Sequence, residues 1–479
     1  MAKISFTQLS IVEDGENLSS EYYTPEIVNA ISILKKYNNL NGFFTLNDKR
    51  YIKKIDTRTF HTYSSKFYTN DKNKGFSLIH VKSLNEIFIK VETYILKVLE
   101  KRFNYKFVFP TKSIFISRGG TLGLIGINYE DIGKCSISQD IIGIYSDEKK
   151  IKPEVLLIFF LSKFGQSLLK TCIIGGVQPH LELSKLKRKS IPLFPNEFQL
   201  QIEQLVKQAY KKRKLAEQKY QQAEELLYKL LGITQEEIEK LEKEKGYETN
   251  FKNVADAFRF DAEYYHPKYL GIIELLKKSP FELKPLKEAV KISDEKVDPT
   301  NEENKTRKFR YVPIAKINES GEIFEWDEFY GWQAPSRARM LIRENDIIIP
   351  SLAGTFDKIA LVPRELDKQL ATTGCFVVRS KGDYPEFLFL LFRTPIFKRQ
   401  LEQQTTGAIM SAVPKSVFGN LLIPKISKEK QKEKQKEIVK LVREYFELRR
   451  EARELIKQAI REVEEEIENV SNTGAVREQ

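Results

Sequence analysis

The sequence predicts an α+β fold: two pseudo-symmetric globular units, separated by two long helices that pair as an antiparallel coiled coil. Three observations carry this. A set of short landmarks recurs in the same order about 235 residues later. Each copy mixes β-branched and aromatic runs with a few amphipathic stretches, an irregular alternation unlike a βαβ series. Each copy then passes through Ile-Pro into a tract whose apolar residues keep a coiled-coil spacing.

The landmarks come first because the rest hangs on them. Ser-Glu-Tyr-Tyr-Thr-Pro at Ser20–Pro25 returns as Ala-Glu-Tyr-Tyr-His-Pro at Ala262–Pro267, an offset of 242. Ser117-Arg-Gly-Gly-Thr-Leu-Gly returns as Ser351-Leu-Ala-Gly-Thr-Phe-Asp, an offset of 234. Gly175-Gly-Val-Gln-Pro-His-Leu aligns with Gly407-Ala-Ile-Met-Ser-Ala-Val, and Ile191-Pro192 with Ile423-Pro424, both at 232. So long a period is a duplicated domain, not a solenoid.

Within each copy the elements follow in order. A helix is expected after each Tyr-Tyr-x-Pro, over Glu26–Lys36 and Tyr269–Lys278. Strands are expected at Ser113–Ile116 and Asp346–Pro350, just before the Gly-Thr turns. One helix precedes each late glycine, over Pro153–Thr171 and Pro385–Gln403, and the Ile-Pro closes each globular part at a strand. From Ile202, steps of four and three read Ile202, Val206, Ala209, Arg213, Ala216, Tyr220, Ala223, Leu227 and Leu230. From Ile438 they read Ile438, Leu441, Tyr445, Leu448, Ala452, Leu455 and Ala459, then shift onto Val463, Ile467 and Val470. Small Ala residues in both seams permit close helix–helix approach. Pro195–Leu231 would span roughly 55 Å at 1.5 Å per residue, and Thr234-Gln-Glu-Glu starts a short charged helix after Gly232.

Composition bounds the function. With 41% hydrophobic and 11% aromatic residues the chain folds. It has no apolar run near the roughly 18 residues of a membrane span. The expectation is a cytoplasmic protein: the N-terminus lacks a hydrophobic signal region, and Cys135, Cys172 and Cys375 make neither a disulfide framework nor a zinc knuckle. The net charge of +13 is uneven, for residues 1–190 alone carry +11. A field held on one segment suits a polyanionic partner.

The candidate binding residues lie in that segment and its counterpart. Between Arg50 and Phe76 stand Arg50, Lys53, Lys54, Arg58, Lys66, Lys72 and Lys74, interleaved with rings that include His61 and Tyr63. Cations neutralise phosphates, and Tyr or His can reach phosphates or base edges. The second copy offers Arg307, Lys308 and Arg310, then Trp332, Gln333, Arg337 and Arg339. Arg and Gln suit bidentate base readout in a major groove. The turns around Ser117, Arg118 and Thr121 and around Ser351 and Thr355 could offer amide and hydroxyl donors to a phosphate. Each of these stretches reads equally as a solvated loop or a plain turn.

Two globular units, each ending in Ile-Pro and a long helical tract, resemble the specificity subunits of type I restriction–modification systems. The resemblance covers nearly the whole chain. Its carriers are Glu21-Tyr22-Tyr23-x-Pro25 and Glu263-Tyr264-Tyr265-x-Pro267, the Gly-Thr loops, and Gly176-Val-Gln-Pro-His-Leu through Ile191-Pro-Leu-Phe-Pro. The second copy departs at Ala408-Ile-Met-Ser-Ala-Val, where Gln-Pro-His is lost. The resemblance implies target recognition domains over 1–193 and 247–425, each reading one half of an interrupted site in double-stranded DNA. It implies a central helix and linker over 194–246, and a second helix and tail over 426–479. The helices, with Ile202, Ala209, Ala216, Leu227, Ile438, Tyr445, Ala452 and Leu455 in the seam, would set the gap and dock two DNA adenine methyltransferase subunits. A restriction–translocation subunit can join, and the specificity subunit itself does no chemistry.

The residues agree on that last point. No proline is followed by another, so the Asn/Asp-Pro-Pro-Tyr/Phe loop of an adenine methyltransferase is missing. There is no P-loop and no His-Glu-x-x-His, and neither a metal nor a cofactor is expected. The alternative reading is a self-sufficient nucleic-acid enzyme, such as a nuclease with an unfamiliar site.

Overall fold

The computed structural model describes residues 24–57, 65–98, 109–133, 135–243, 247–382, 384–407, 411–425 and 429–477. Arg58, His61, Tyr63 and the first Tyr-Tyr pair lie outside them. The chain divides into two compact units, one of Met1–Arg213 with Arg450–Gln479 and one of Lys214–Arg449.

Unit 1 runs α1 (Pro25–Asn41), β1 (Phe43–Thr45), β2 (Ile52–Asp56), β3 (Tyr68–Thr69), β4 (Gly75–Ile79), β5 (Tyr94–Leu96), β6 (Ile114–Ser117), β7 (Ile125–Ile127), β8 (Cys135–Ile137) and β9 (Ile141–Ser146). Then come α2 (Pro153–Leu161), α3 (Lys163–Lys170), β10 (Ile173–Ile174), β11 (His180–Leu181), α4 (Leu183–Arg188) and β12 (Ser190–Pro192). One antiparallel sheet has the order β2-β9-β6-β7, and a second, β3-β5-β4-β8, holds a single parallel pair, β4 with β8. Strand β12, which carries the Ile-Pro, closes the unit by pairing with β1 right after the first helix. Proline at the first turn starts α1 and α2, where its missing N–H costs nothing.

Unit 2 rebuilds this plan. It holds α5 (Gln235–Lys243), α6 (Phe251–Ala257), α7 (Pro267–Lys278), β13 (Glu282–Pro285), α8 (Leu286–Ala289), β14 (Val290–Ser293), β15 (Lys308–Val312), β16 (Asp327–Tyr330), β17 (Ala338–Ile342) and β18 (Ile347–Pro350). It continues with β19 (Ala360–Leu361), β20 (Gln369–Thr372), β21 (Cys375–Ser380), α9 (Pro385–Arg393), α10 (Pro395–Gln403), α11 (Lys415–Phe418) and β22 (Leu422–Lys425). The order β14-β21-β18-β19 repeats the first antiparallel sheet strand for strand. The sheet β16-β15-β20-β17 again contains one parallel pair, β15 with β20. Strand β22 pairs with β13 as β12 pairs with β1.

The helices before each late glycine are broken where continuous ones were expected. Ser162 and Thr394 take extended backbone between α2 and α3 and between α9 and α10. Ser162 caps α3 by accepting from the Gly165 amide, and a Cβ at Gly165 would lie 2.0 Å from the Phe159 carbonyl oxygen. Thr394 precedes Pro395, whose ring disfavours helical backbone in the residue before it.

The central helix (Asn196–Leu231) and the C-terminal helix (Glu429–Arg477) each contribute to both units. In unit 1 Ile202, Val206 and Ala209 share one core with Ala452, Ile456, Ala459, Val463 and Ile467. The pairing is antiparallel: Gln201 donates to Glu462 (2.9 Å), and Lys212 pairs with Glu451 (2.6 Å). In unit 2 Ala223 and Leu227 share a core with Ile438 and Val442. There Ala216 is fully buried, Tyr220 lies 5.1 Å from Tyr445, and Lys219 pairs with Glu444. The second seam differs from the expected one. Val442, Arg449 and Ile456 are buried in the line, while Leu441, Leu448 and Leu455 are half-buried at its flank. An apolar pattern passes over a seam position held by an ion-paired arginine, and the reading then slips by one residue.

Candidate nucleic-acid interface

In both units the Gly-Thr loop and the late-glycine segment, far apart in sequence, form one surface feature. In unit 1 the loop leaves β6 at Ser117. The buried Ser117 Oγ donates to the Thr121 carbonyl (2.6 Å) and accepts from the Leu124 amide (2.8 Å), closing the turn. Gly119 is required because a Cβ there would lie 2.3 Å from Asp140 Oδ1, and Gly120 takes φ +67° with open space before it. The Leu181 amide then donates to the Arg118 carbonyl (2.9 Å), tying the β10–β11 hairpin to the loop. The hairpin tip is exposed from Gly175 to Pro179, with Val177 99% accessible.

Unit 2 repeats the stitch. The Val413 amide donates to the Ser351 carbonyl and the Ala353 amide to the Ser411 carbonyl, both at 2.9 Å. These bonds bring Ser351–Thr355 against Ser411–Val413. The expectation that loop hydroxyls donate to a phosphate needs correcting. Ser117 donates to Thr121, Ser351 to the Gly374 carbonyl (2.9 Å) and Thr355 to the Leu352 carbonyl (2.7 Å). Their donor protons are spent inside the protein, which leaves exposed Thr121, half-buried Arg118 and the glycine backbone facing outward.

The expected cations separate into two kinds. Arg50 is bonded to Asp48 and Lys53 to Asp147 (2.6 Å each), which hold those two carboxyls below their usual range. Lys54 lies over the Phe109 ring at 4.4 Å, and burial lowers its ammonium pKa, so it is a packing residue more than a phosphate ligand. Lys66 lies 5.4 Å over Phe67. Lys72 and Lys74 are exposed on the turn between β3 and β4, Lys74 beside Asp71 at 3.2 Å. The exposed Lys97 joins them, its amide bonded to the Lys74 carbonyl (3.0 Å). The sequence window that ended at Phe76 missed it, since only the β4–β5 pairing brings it there.

In unit 2 Lys308 and Arg310 share Glu328 on the neighbouring strand, and its carboxyl is held low chiefly by Lys308. Arg310 also lies over Trp326, Arg307 over Phe309, and Arg339 faces Asp298 at 3.6 Å. The outward-facing group is Trp332, which is 66% exposed, with Gln333 and Arg337. Its backbone is fixed: the Gly331 and Trp332 amides donate to the Arg307 and Lys305 carbonyls, and a Cβ at Gly331 would lie 2.1 Å from the Pro299 carbonyl oxygen. Gln333 is partly committed, accepting from the Tyr330 amide at 3.1 Å. Such a rigid ring beside an arginine can stack on a base or pack along a sugar.

Among the described residues there is no group of three His, Cys, Asp or Glu placed to hold a metal, and no helix long and apolar enough to cross a membrane. Residues 39–225 match the family model of the type I restriction modification DNA specificity domain. That family is the one the repeats and helical tracts resemble. A solved structure concerned with complex assembly and conformational transition of the type I R-M system is 35% identical, with a TM-score of 0.31, over 37% of this chain and 45% of that one. The HsdS subunit from Thermoanaerobacter tengcongensis is 34% identical, with a TM-score of 0.31, over 36% and 44%. The type I restriction-modification S subunit from M. genitalium aligns over 89% and 95% at 12% identity and a TM-score of 0.42. The aligned part spans less than half the length of the first two chains. No curated protein matches.

Proposed function

We propose that this chain is the non-catalytic DNA-specificity subunit of a type I restriction–modification complex. The match of residues 39–225 to the specificity domain carries the reading. The second unit supports it, because the same sheets and the same loop-to-segment stitch are built there on different side chains. Each globular part, 1–193 and 247–425, then reads one half of an interrupted duplex site. The different residues they expose, Lys72, Lys74 and Gln178 against Trp332 and Arg337, favour two unlike half-sites over a palindrome. The central and C-terminal helical segments act as the spacer and as the dock for two adenine methyltransferase subunits, to which a restriction–translocation subunit can be added. The complex works in the cytoplasm.

The test is adenine-methylation mapping after co-expression of this chain with a type I DNA adenine methyltransferase subunit. The expected result is an interrupted, asymmetric two-part motif that disappears without this chain. Absence of both complex and methylation, with metal-dependent cleavage by the purified chain alone, would favour a self-sufficient nuclease instead.

A further inference from the structure

In each unit an arginine on a long helix is ion-paired with a glutamate of the globular part. In unit 2 the Arg449 guanidinium, 3% exposed, lies 2.8–2.9 Å from Glu322 Oε2. In unit 1 Arg213 pairs with Glu86, and both side chains are largely covered. Glu86 and Glu322 stand 236 residues apart, and so do Arg213 and Arg449. The same pair is therefore written into both copies of the duplicated unit, although neither member belongs to the sequence landmarks. Aromatic rings brace it each time. Tyr445 donates to the Ser320 carbonyl (2.7 Å) and lies 5.5 Å from the Arg449 guanidinium. Tyr210, one turn before Arg213, stacks on Tyr129 at 4.6 Å and meets Phe88 edgewise at 5.4 Å. In unit 2 the acid is presented by a turn in which Asn318 Oδ1 accepts from the Ser320 and Glu322 amides.

A charge set in an apolar helix seam adds little net stability, because desolvation offsets most of the attraction. Its effect is selective. One residue of slip moves a helix 1.5 Å along its axis and turns it by about 100°, which would strand the arginine and the glutamate together. Such a pair therefore admits one register and one azimuth, as a buried polar residue does in a coiled coil.

We propose that Arg213–Glu86 and Arg449–Glu322 are positioning pairs. They lock each recognition domain onto its helix at one azimuth and so sharpen the gap accepted between the two half-sites. The inference rests on the specificity reading above. Its test uses the full chain in complex with its methyltransferase, acting on a plasmid library whose half-sites are held constant while the gap varies one base pair at a time. With Arg449→Met, methylation at gaps one base pair longer or shorter should rise on the order of tenfold relative to the native gap, with both half-sites unchanged. The exchange Arg449→Glu with Glu322→Arg should restore discrimination. Wild-type gap discrimination in Arg449→Met, or an altered half-site base, overturns the proposal. If Arg449→Met yields no complex, Arg449→Lys, which keeps the charge and loses the fork, is read on the same library, and unchanged discrimination there overturns it equally. A wild-type complex without any two-part motif would instead overturn the specificity reading, and this inference with it.

Discussion

Replacing Arg393 by Met should cost unit 2 a large part of its stability, and the structure sets the size. Arg393 ends α9 with its guanidinium spread over two backbone segments. Nη2 donates to the Glu319 carbonyl (2.7 Å), Nη1 to those of Asp357 (2.8 Å) and Ile359 (3.2 Å), and Nε to the Tyr220 hydroxyl (3.2 Å). Asp357 lies two residues beyond the Thr355 loop, and Tyr220 is on the central helix. One side chain thus joins the candidate site to the helix behind it. Methionine keeps the length of the stem and strands three carbonyls in a half-buried setting. Hydrogen bonds to a charged donor contribute about 1.5–3 kcal/mol each, part of which water recovers, so a loss of about 3–5 kcal/mol is expected. For a unit of this size each kcal/mol shifts the melting temperature by about 2–4 °C. The drop should be roughly 10 °C by differential scanning calorimetry of the purified chain, and about half that for Arg393→Lys. A drop below about 2 °C for Arg393→Met would refute the view that this arginine carries those segments.

Four further outcomes are expected. Lys72→Ala with Lys74→Ala should lower the slope of log affinity against log salt by about 1.8, some 0.9 for each phosphate left without its cation. Lys54→Ala should lower the melting temperature and leave that slope alone, and fluorescence anisotropy at several salt concentrations decides both. Burial, outweighing the Tyr129 hydrogen bond, holds the Glu154 carboxyl above its ordinary range. The folded chain therefore keeps that proton longer than the unfolded chain, and the group's support for folding is present at low pH and lost as pH rises through the raised value. Glu154→Gln should accordingly raise the melting temperature more at pH 7 than at pH 4, and the opposite order would contradict the assignment. Inserting one heptad into both long helices should lengthen the methylated gap while both half-sites stay as they are; altered half-sites would remove the spacer role.

Much of the architecture was legible in the chain itself. The duplication, the helices after each Tyr-Tyr-x-Pro, the closing Ile-Pro strands and the two long helices follow from local chemistry. Proline starts helices, β-branched runs form strands, and steps of three and four place side chains on one helix face. The glycines at 119 and 120 signalled a turn, and a turn is found there. The site was legible only in outline. A cation in a sequence window looks the same whether it faces solvent, as Lys72 does, or is bonded across a strand pair, as Lys308 and Arg310 are.

The difference lies in the range of the forces. Helix spacing, turn glycines and the repeat are fixed by neighbours within a few residues, so the sequence alone determined them. Strand register, the stitching of Arg118 to Leu181, and the burial of Arg449 against Glu322 bring together groups 63 to 127 residues apart. Only the closed tertiary structure, which removes water from those charges and pairs those amides, decided them.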